Sequence, residues 1–139
     1  MSYNKQLPAT EITDKVTRAT VDFAEDFGNY LGTDKKERDS KTGRNKIVET
    51  KLTTSQLRKF FGEVKRQQME GYNETAFVLL KPKLAYAVGR ADRNSKIKDF
   101  YLTISNLMDL VNDEKTFKNF IQVFEAIVAY HKAAEEQRM

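Results

Sequence analysis

Apolar residues recur at steps of three and four through most of the chain, and the pattern predicts five helices. The first covers Glu11–Leu31, where Ile12, Val16, Phe23, Phe27 and Tyr30 share a face, with Ala19 between. Thr10 can cap its start and Gly32 is a natural stop. The second begins at Thr53 or Thr54, carries Leu57, Phe60, Phe61 and Val64 at i, i+3, i+4, i+7, and ends at Gly71. The third, Glu74–Arg90, is apolar on more than one side (Ala76, Phe77, Val78, Leu79, Leu80, Leu84, Ala85, Ala87, Val88), which predicts a central helix. Pro82 should kink or split it, and Gly89 should end it. A strand at 76–80 is the alternative, but no second strand-like run exists to pair with it. The fourth helix runs over Lys96–Val111 behind an Asn94 or Ser95 cap, with Ile97, Phe100, Tyr101, Ile104, Leu107, Met108 and Val111 in its stripe. The fifth starts after Asp113, a good N-cap, and its stripe is Phe117, Phe120, Ile121, Phe124, Ile127, Val128 and His131.

Residues 32–51 break the pattern. They hold two glycines, heavy charge and only Ile47 and Val48 as aliphatic residues, so they read as a long polar loop. Residues 133–139 read as a polar tail. The expected fold class is all-α, a compact bundle of about five helices with a long basic loop between helices 1 and 2. The 139 residues suit one domain over the whole length, 1–139. Four helices should surround the third. The longest apolar run, Ala76–Leu80, is far short of the ~20 residues of a membrane span, and no secretion signal precedes it. The protein is therefore expected to be soluble. With no cysteine, there can be no thiolate nucleophile, disulfide or Cys-ligated metal.

Charge changes the picture more than composition does. The net charge is +4, yet residues 35–66 hold eleven bases against four acids, and residues 81–98 hold six bases against one acid. The remainder is acidic. Two basic blocks in an acidic chain read either as a surface facing a polyanion or as solvated loops. Helix two sharpens the first reading. Opposite its apolar stripe lie Ser55, Arg58, Lys59, Gly62, Lys65 and Arg66, an arc with four bases and no acid. Gly62 sits mid-arc, where a missing side chain would let a ligand approach the backbone.

Catalytic chemistry is sparse. His131 is the single histidine, and no spacing supplies it with a partner; it reads as a partly buried side chain near a helix C-terminus. Asp22, Glu25 and Asp26 share helix one and Glu135-Glu136 lie near the end, but neither group has a second ligand set for a metal. The glycines form no phosphate-cradling loop and the serines no nucleophile elbow. The sequence thus predicts a protein that is not an enzyme and takes no cofactor and no metal. Tyr86 lies between Lys83 and Arg90, away from the Leu84/Val88 side of its helix, and could stack on a base or pack on a neighbouring helix. Val123 and Tyr130, off the helix-five stripe, could mark a contact face for a partner subunit.

Three stretches carry a family resemblance: Leu52-Thr53-Thr54-Ser55-Gln56-Leu57-Arg58-Lys59-Phe60, Leu80-Lys81-Pro82-Lys83-Leu84-Ala85-Tyr86-Ala87-Val88-Gly89-Arg90, and Phe117–Lys132 around Phe124-Glu125-Ala126-Ile127-Val128-Ala129-Tyr130. In this order and spacing they resemble the small subunit of the type III-A CRISPR effector, the Csm complex, over roughly residues 47–132. The resemblance implies an all-α, non-catalytic protein of antiviral defence. Several copies stack along the inner filament of a cytoplasmic ribonucleoprotein and help line the channel for the guide–target duplex. It implies as partners guide and target RNA, met mainly at the backbone, the other subunits, and further copies of the chain; for the free protein the sequence leaves monomer and dimer both open. It places Lys51, Arg58 and Arg90, with Lys83 nearby, against nucleic acid. Adding the neighbouring bases gives the expected RNA-binding set Lys51, Arg58, Lys59, Lys83, Arg90, Arg44, Lys46 and Arg93. Two other readings stand beside it: a helical protein–protein adaptor with a solvated basic face, and a helix-turn-helix repressor, which the loop lengths disfavour.

Overall fold

The computed structural model describes residues 3–38, 40–48, 50–91, 93 and 95–136. It contains helices α1 (Thr10–Thr13), α2 (Arg18–Leu31), α3 (Thr54–Glu70), α4 (Glu74–Val78), α5 (Leu80–Arg90), α6 (Ile97–Met108) and α7 (Glu114–Glu136), with strands β1 (Lys35–Arg38) and β2 (Asn45–Val48) between α2 and α3. Helices supply nearly all of the core, with Leu7 and Leu52 added from the segments before α1 and α3, and the class is all-α.

The first predicted helix is broken in two. Glu11, 4% exposed, turns its carboxylate onto the start of α2 and accepts from Thr17 N at 2.7 Å, Thr17 Oγ1 at 2.7 Å, Thr20 N at 3.1 Å and Thr20 Oγ1 at 2.8 Å. The first amides of a helix lack internal partners, and here an acid one element upstream satisfies them. Asn119 Nδ2 of α7 in turn holds Ile12 O and Asp14 O at 2.8 and 3.0 Å, fixing the break. Burial alone would raise the Glu11 pKa; the four hydrogen bonds outweigh it and hold the carboxyl below its ordinary 4.5.

The segment expected as a long polar loop contains a β-hairpin. β1 and β2 pair antiparallel, with Lys35 opposite Val48 and Arg38 opposite Asn45. Gly43 supplies a positive φ of 70° in the turn, and β-branched Ile47 and Val48 lie in β2. Asp34 closes the base of this hairpin, its Oδ1 accepting from Thr50 N at 3.1 Å and Lys51 N at 3.0 Å.

The third segment splits at Leu79 into α4 and α5. Pro82 falls in the first turn of α5, where its missing N–H has no helical acceptor to lose. It is not the central helix. Phe77, Leu80 and Leu84 are buried, but Val78, Leu79 and Tyr86 are 51%, 53% and 67% exposed. The centre is α7, which buries Phe117, Phe120, Ile121, Val123, Phe124, Ile127 and His131 against α1, α2, α3 and α6. Phe120 packs at 5.2 Å from Phe77 and 6.0 Å from Phe124, which meets Phe60 at 5.6 Å. Val123 belongs to this core at 1% exposure, not to a partner face. Residues 133–136, expected in a tail, are the last turn of α7; 137–139 and the cap candidate Asn94 lie outside the described residues.

α2 lies unusually close on α7. A Cβ at Gly28 would stand 2.7 Å from His131 N and Tyr130 Cβ, and one at Gly32 would stand 2.8 Å from His131 O. Only hydrogen at these two positions lets the backbones meet.

Candidate nucleic-acid interface

α3 is the best-defined element of the basic region. Thr53 and Gln56 form a reciprocal capping box, and Glu135 from the end of α7 accepts from Thr54 N at 3.3 Å and from Thr54 Oγ1. Leu52 N donates to Leu31 O at 2.7 Å, while Leu52 O meets Nε2 of buried His131. His131, expected partly buried, is thus wholly interior and serves the approach to α3. Burial would raise the Glu135 pKa, but its hydrogen bonds to Thr54 and the nearby His131 and Lys51 bring it below 4.5.

One further residue pins the same end. Lys96 N donates to Thr50 O at 2.7 Å, and its ammonium donates to Tyr30 O at 2.7 Å and Thr33 O at 2.8 Å, 4.1 Å from the Tyr30 ring. Burial lowers the Lys96 pKa, while Asp34 and Asp99 act the other way. So one base of the second block is a structural tie. The sequence carried no sign of it, because its acceptors are backbone carbonyls more than 60 residues away.

α3 and α5 run antiparallel. Gln67 Nε2 donates to Ala76 O at 3.1 Å, and seven residues later Lys83 Nζ stands 3.4 Å from Glu63 Oε2. Each helix rises ~1.5 Å per residue, so Arg90, seven residues beyond Lys83, comes level with the first turns of α3. The hairpin base, the start of α3, the end of α5 and Lys96 therefore meet at one end of the bundle.

The expected site residues divide there. Arg58 and Lys59 are exposed and make no ion pair with any described residue; a bridge from Arg58 to Asp22 does not form. Arg90 is exposed with its guanidinium carbon 5.7 Å from the Tyr86 ring centroid, and Arg93 is exposed in the following loop. Lys51 is half-buried, 3.9 Å from Glu135. Lys83 is partly neutralised by Glu63. Arg44 is exposed in the hairpin turn, a strand's length from the base, and the Lys46 side chain lies outside the described residues. The base-only arc of α3 is narrower than its sequence implied: Lys65 pairs with Glu125 of α7 at 2.6 Å, and Arg66 pairs with Glu63 at 2.7 Å and Glu70 at 3.4 Å. The space over Gly62 is open.

Elsewhere, Asp22, Glu25 and Asp26 border a shallow groove between α2 and α7, where Asp26 accepts from Tyr3 Oη at 2.5 Å and from Lys5 at 3.1 Å. Among the described residues, no group of three or more His, Asp or Glu is placed to hold a metal. No described helix is long and apolar enough to cross a membrane.

Fold and site together define an all-α protein that gathers exposed arginine and lysine at one end of its bundle. Residues 29–137 match the model of the family described as Csm2 Type III-A, and the chain belongs to that family. It is accordingly a small, structural subunit of the type III-A CRISPR effector complex. The match reaches well beyond the 47–132 stretch on which the motif resemblance rested, taking in the hairpin and the end of α2. Searches of the curated proteins and of the solved structures each returned no match.

Proposed function

We propose that the chain binds the phosphate backbone of guide and target RNA within the effector complex, without reading sequence and without catalysis of its own. Arg58, Lys59 and Arg90 are the principal phosphate ligands, with Arg93 beside them. Lys51 and Lys83 contribute by exchanging Glu135 and Glu63 for phosphate, and Arg44 and Lys46 extend the surface along the hairpin. The observation that carries this reading is the pair Arg58 and Lys59: two exposed cations with no described acid partner, on a helix start held from three sides. A cation left unpaired on a rigid element is available to an outside anion.

Assembly with the other subunits and with further copies of the chain, in the cytoplasm, completes the proposal. Exposed Val78 and Leu79, side by side at the α4–α5 joint, support a protein contact there. One domain over residues 1–139 is part of the same reading. The test is binding of the purified chain to several RNAs of unrelated sequence. Affinities within about tenfold of one another are expected for contacts to phosphate and sugar. A several-hundredfold preference for one sequence would refute the reading, as would no RNA binding at all by a chain that still joins its complex, which is the behaviour of an adaptor.

A further inference from the structure

Tyr86 is the one exposed aromatic side chain among the described residues; every other Phe and Tyr is buried or half-buried. It does not pack on a neighbouring helix, so the fold gains little from its ring. Two cations flank it on its own helix. Lys83 and Arg90 stand at i−3 and i+4 on the same face of α5, with the Arg90 guanidinium 5.7 Å from the ring centroid. Across the α3–α5 seam, Lys83 meets Glu63 at 3.4 Å. Lys59, one turn before Glu63, therefore comes level with the turn that carries Tyr86. The ring is thus in line with cations on both sides, and two-thirds of the residue's surface is open.

An aromatic face between phosphate ligands is the arrangement by which proteins hold single strands: the backbone follows the cations and a base lies on the ring. Bases inside a duplex are already stacked on one another and cannot reach it. We infer that Tyr86 is a stacking platform for an unpaired RNA base, so that the basic strip prefers single-stranded to fully paired RNA. This rests on the strip being RNA-facing as proposed above.

The chain has no tryptophan, so Tyr86→Trp installs a single reporter in the full-length protein. A mixed-sequence RNA, alone or annealed to its complement, is titrated while tryptophan emission and the anisotropy of a dye on the RNA are followed together. The single strand should quench the emission and the duplex should leave it unchanged. Tyr86→Leu should weaken single-strand binding roughly tenfold, Tyr86→Phe should not, and neither should change the salt dependence, since stacking releases no counterions. Single-strand binding seen by anisotropy with unchanged emission would overturn the stacking role alone, as would Tyr86→Leu binding both RNAs like the parent. Flat anisotropy with both RNAs would overturn the RNA-facing strip and the stacking role together.

Discussion

Replacing a helical glycine by alanine should have opposite signs at two places in this fold. At Gly62 a Cβ meets nothing within 4 Å. Alanine there keeps the open surface and removes backbone freedom from the unfolded chain, for a gain of about 0.5–1 kcal/mol. At Gly28 the same Cβ would lie 2.7 Å from His131 N, 2.7 Å from Tyr130 Cβ and 2.9 Å from Ile127 O. Carbon atoms pack at about 3.5–4.0 Å, so α2 must retreat from α7 by roughly 1 Å. The obstructing atoms are backbone and a Cβ, which cannot swing aside. Overpacking of this kind costs about 1–3 kcal/mol, and subtracting the helix gain leaves a net loss of up to about 2.5 kcal/mol. For a chain of this size that is a fall in melting temperature of up to roughly 10 °C, against a rise of a few degrees for Gly62→Ala. Thermal unfolding followed by circular dichroism measures both. If Gly28→Ala is as stabilising as Gly62→Ala, the backbone contact between α2 and α7 is not as described.

Glu11 and Glu135 both have pKa values below 4.5 in the folded protein, so the stability they contribute is complete above that pH and is lost as pH falls through the folded values. The melting temperature should therefore drop as pH falls below about 5, and Glu11→Gln should drop less steeply; parallel curves would contradict the capping role of Glu11. Lys96→Met removes the ammonium that ties Tyr30 O and Thr33 O, at a cost of about 1–3 kcal/mol. Amide exchange should then quicken at Thr50–Leu52 while Phe120–Phe124 stays protected, and uniform quickening would place Lys96 in the core's stability instead.

The five apolar stripes were readable because a helix repeats its pattern within its own sequence. What the sequence concealed was every feature made between distant segments. A single stripe from Ile12 to Tyr30 gave no hint that Glu11 would fold back onto Thr17 and Thr20 and break the helix. The dense apolar run at 76–80 suggested a central element, but Val78 and Leu79 face outward, and α7 took the centre because Gly28 and Gly32 let α2 settle on it. The arc of α3 read as base-only because the partner of Lys65, Glu125, lies 60 residues on in another helix, while the partners of Arg66, Glu63 and Glu70, sit on α3 itself just outside the arc. Arg58 and Lys59 stayed exposed because nothing acidic was brought to them.

The central claim is that exposed Arg58 and Lys59 bind RNA phosphate, and it is tested most directly by the salt dependence of binding in Arg58→Ala and Lys59→Ala. Each lost phosphate contact should flatten the plot of log affinity against log salt by about 0.7 for a single strand. Surface substitutions of this kind usually change stability by no more than about 0.5 kcal/mol, so the melting temperatures should barely move. Flattened slopes at unchanged melting temperature are the predicted result. Unchanged slopes with a lowered melting temperature would show that these side chains hold the bundle together and would contradict the account.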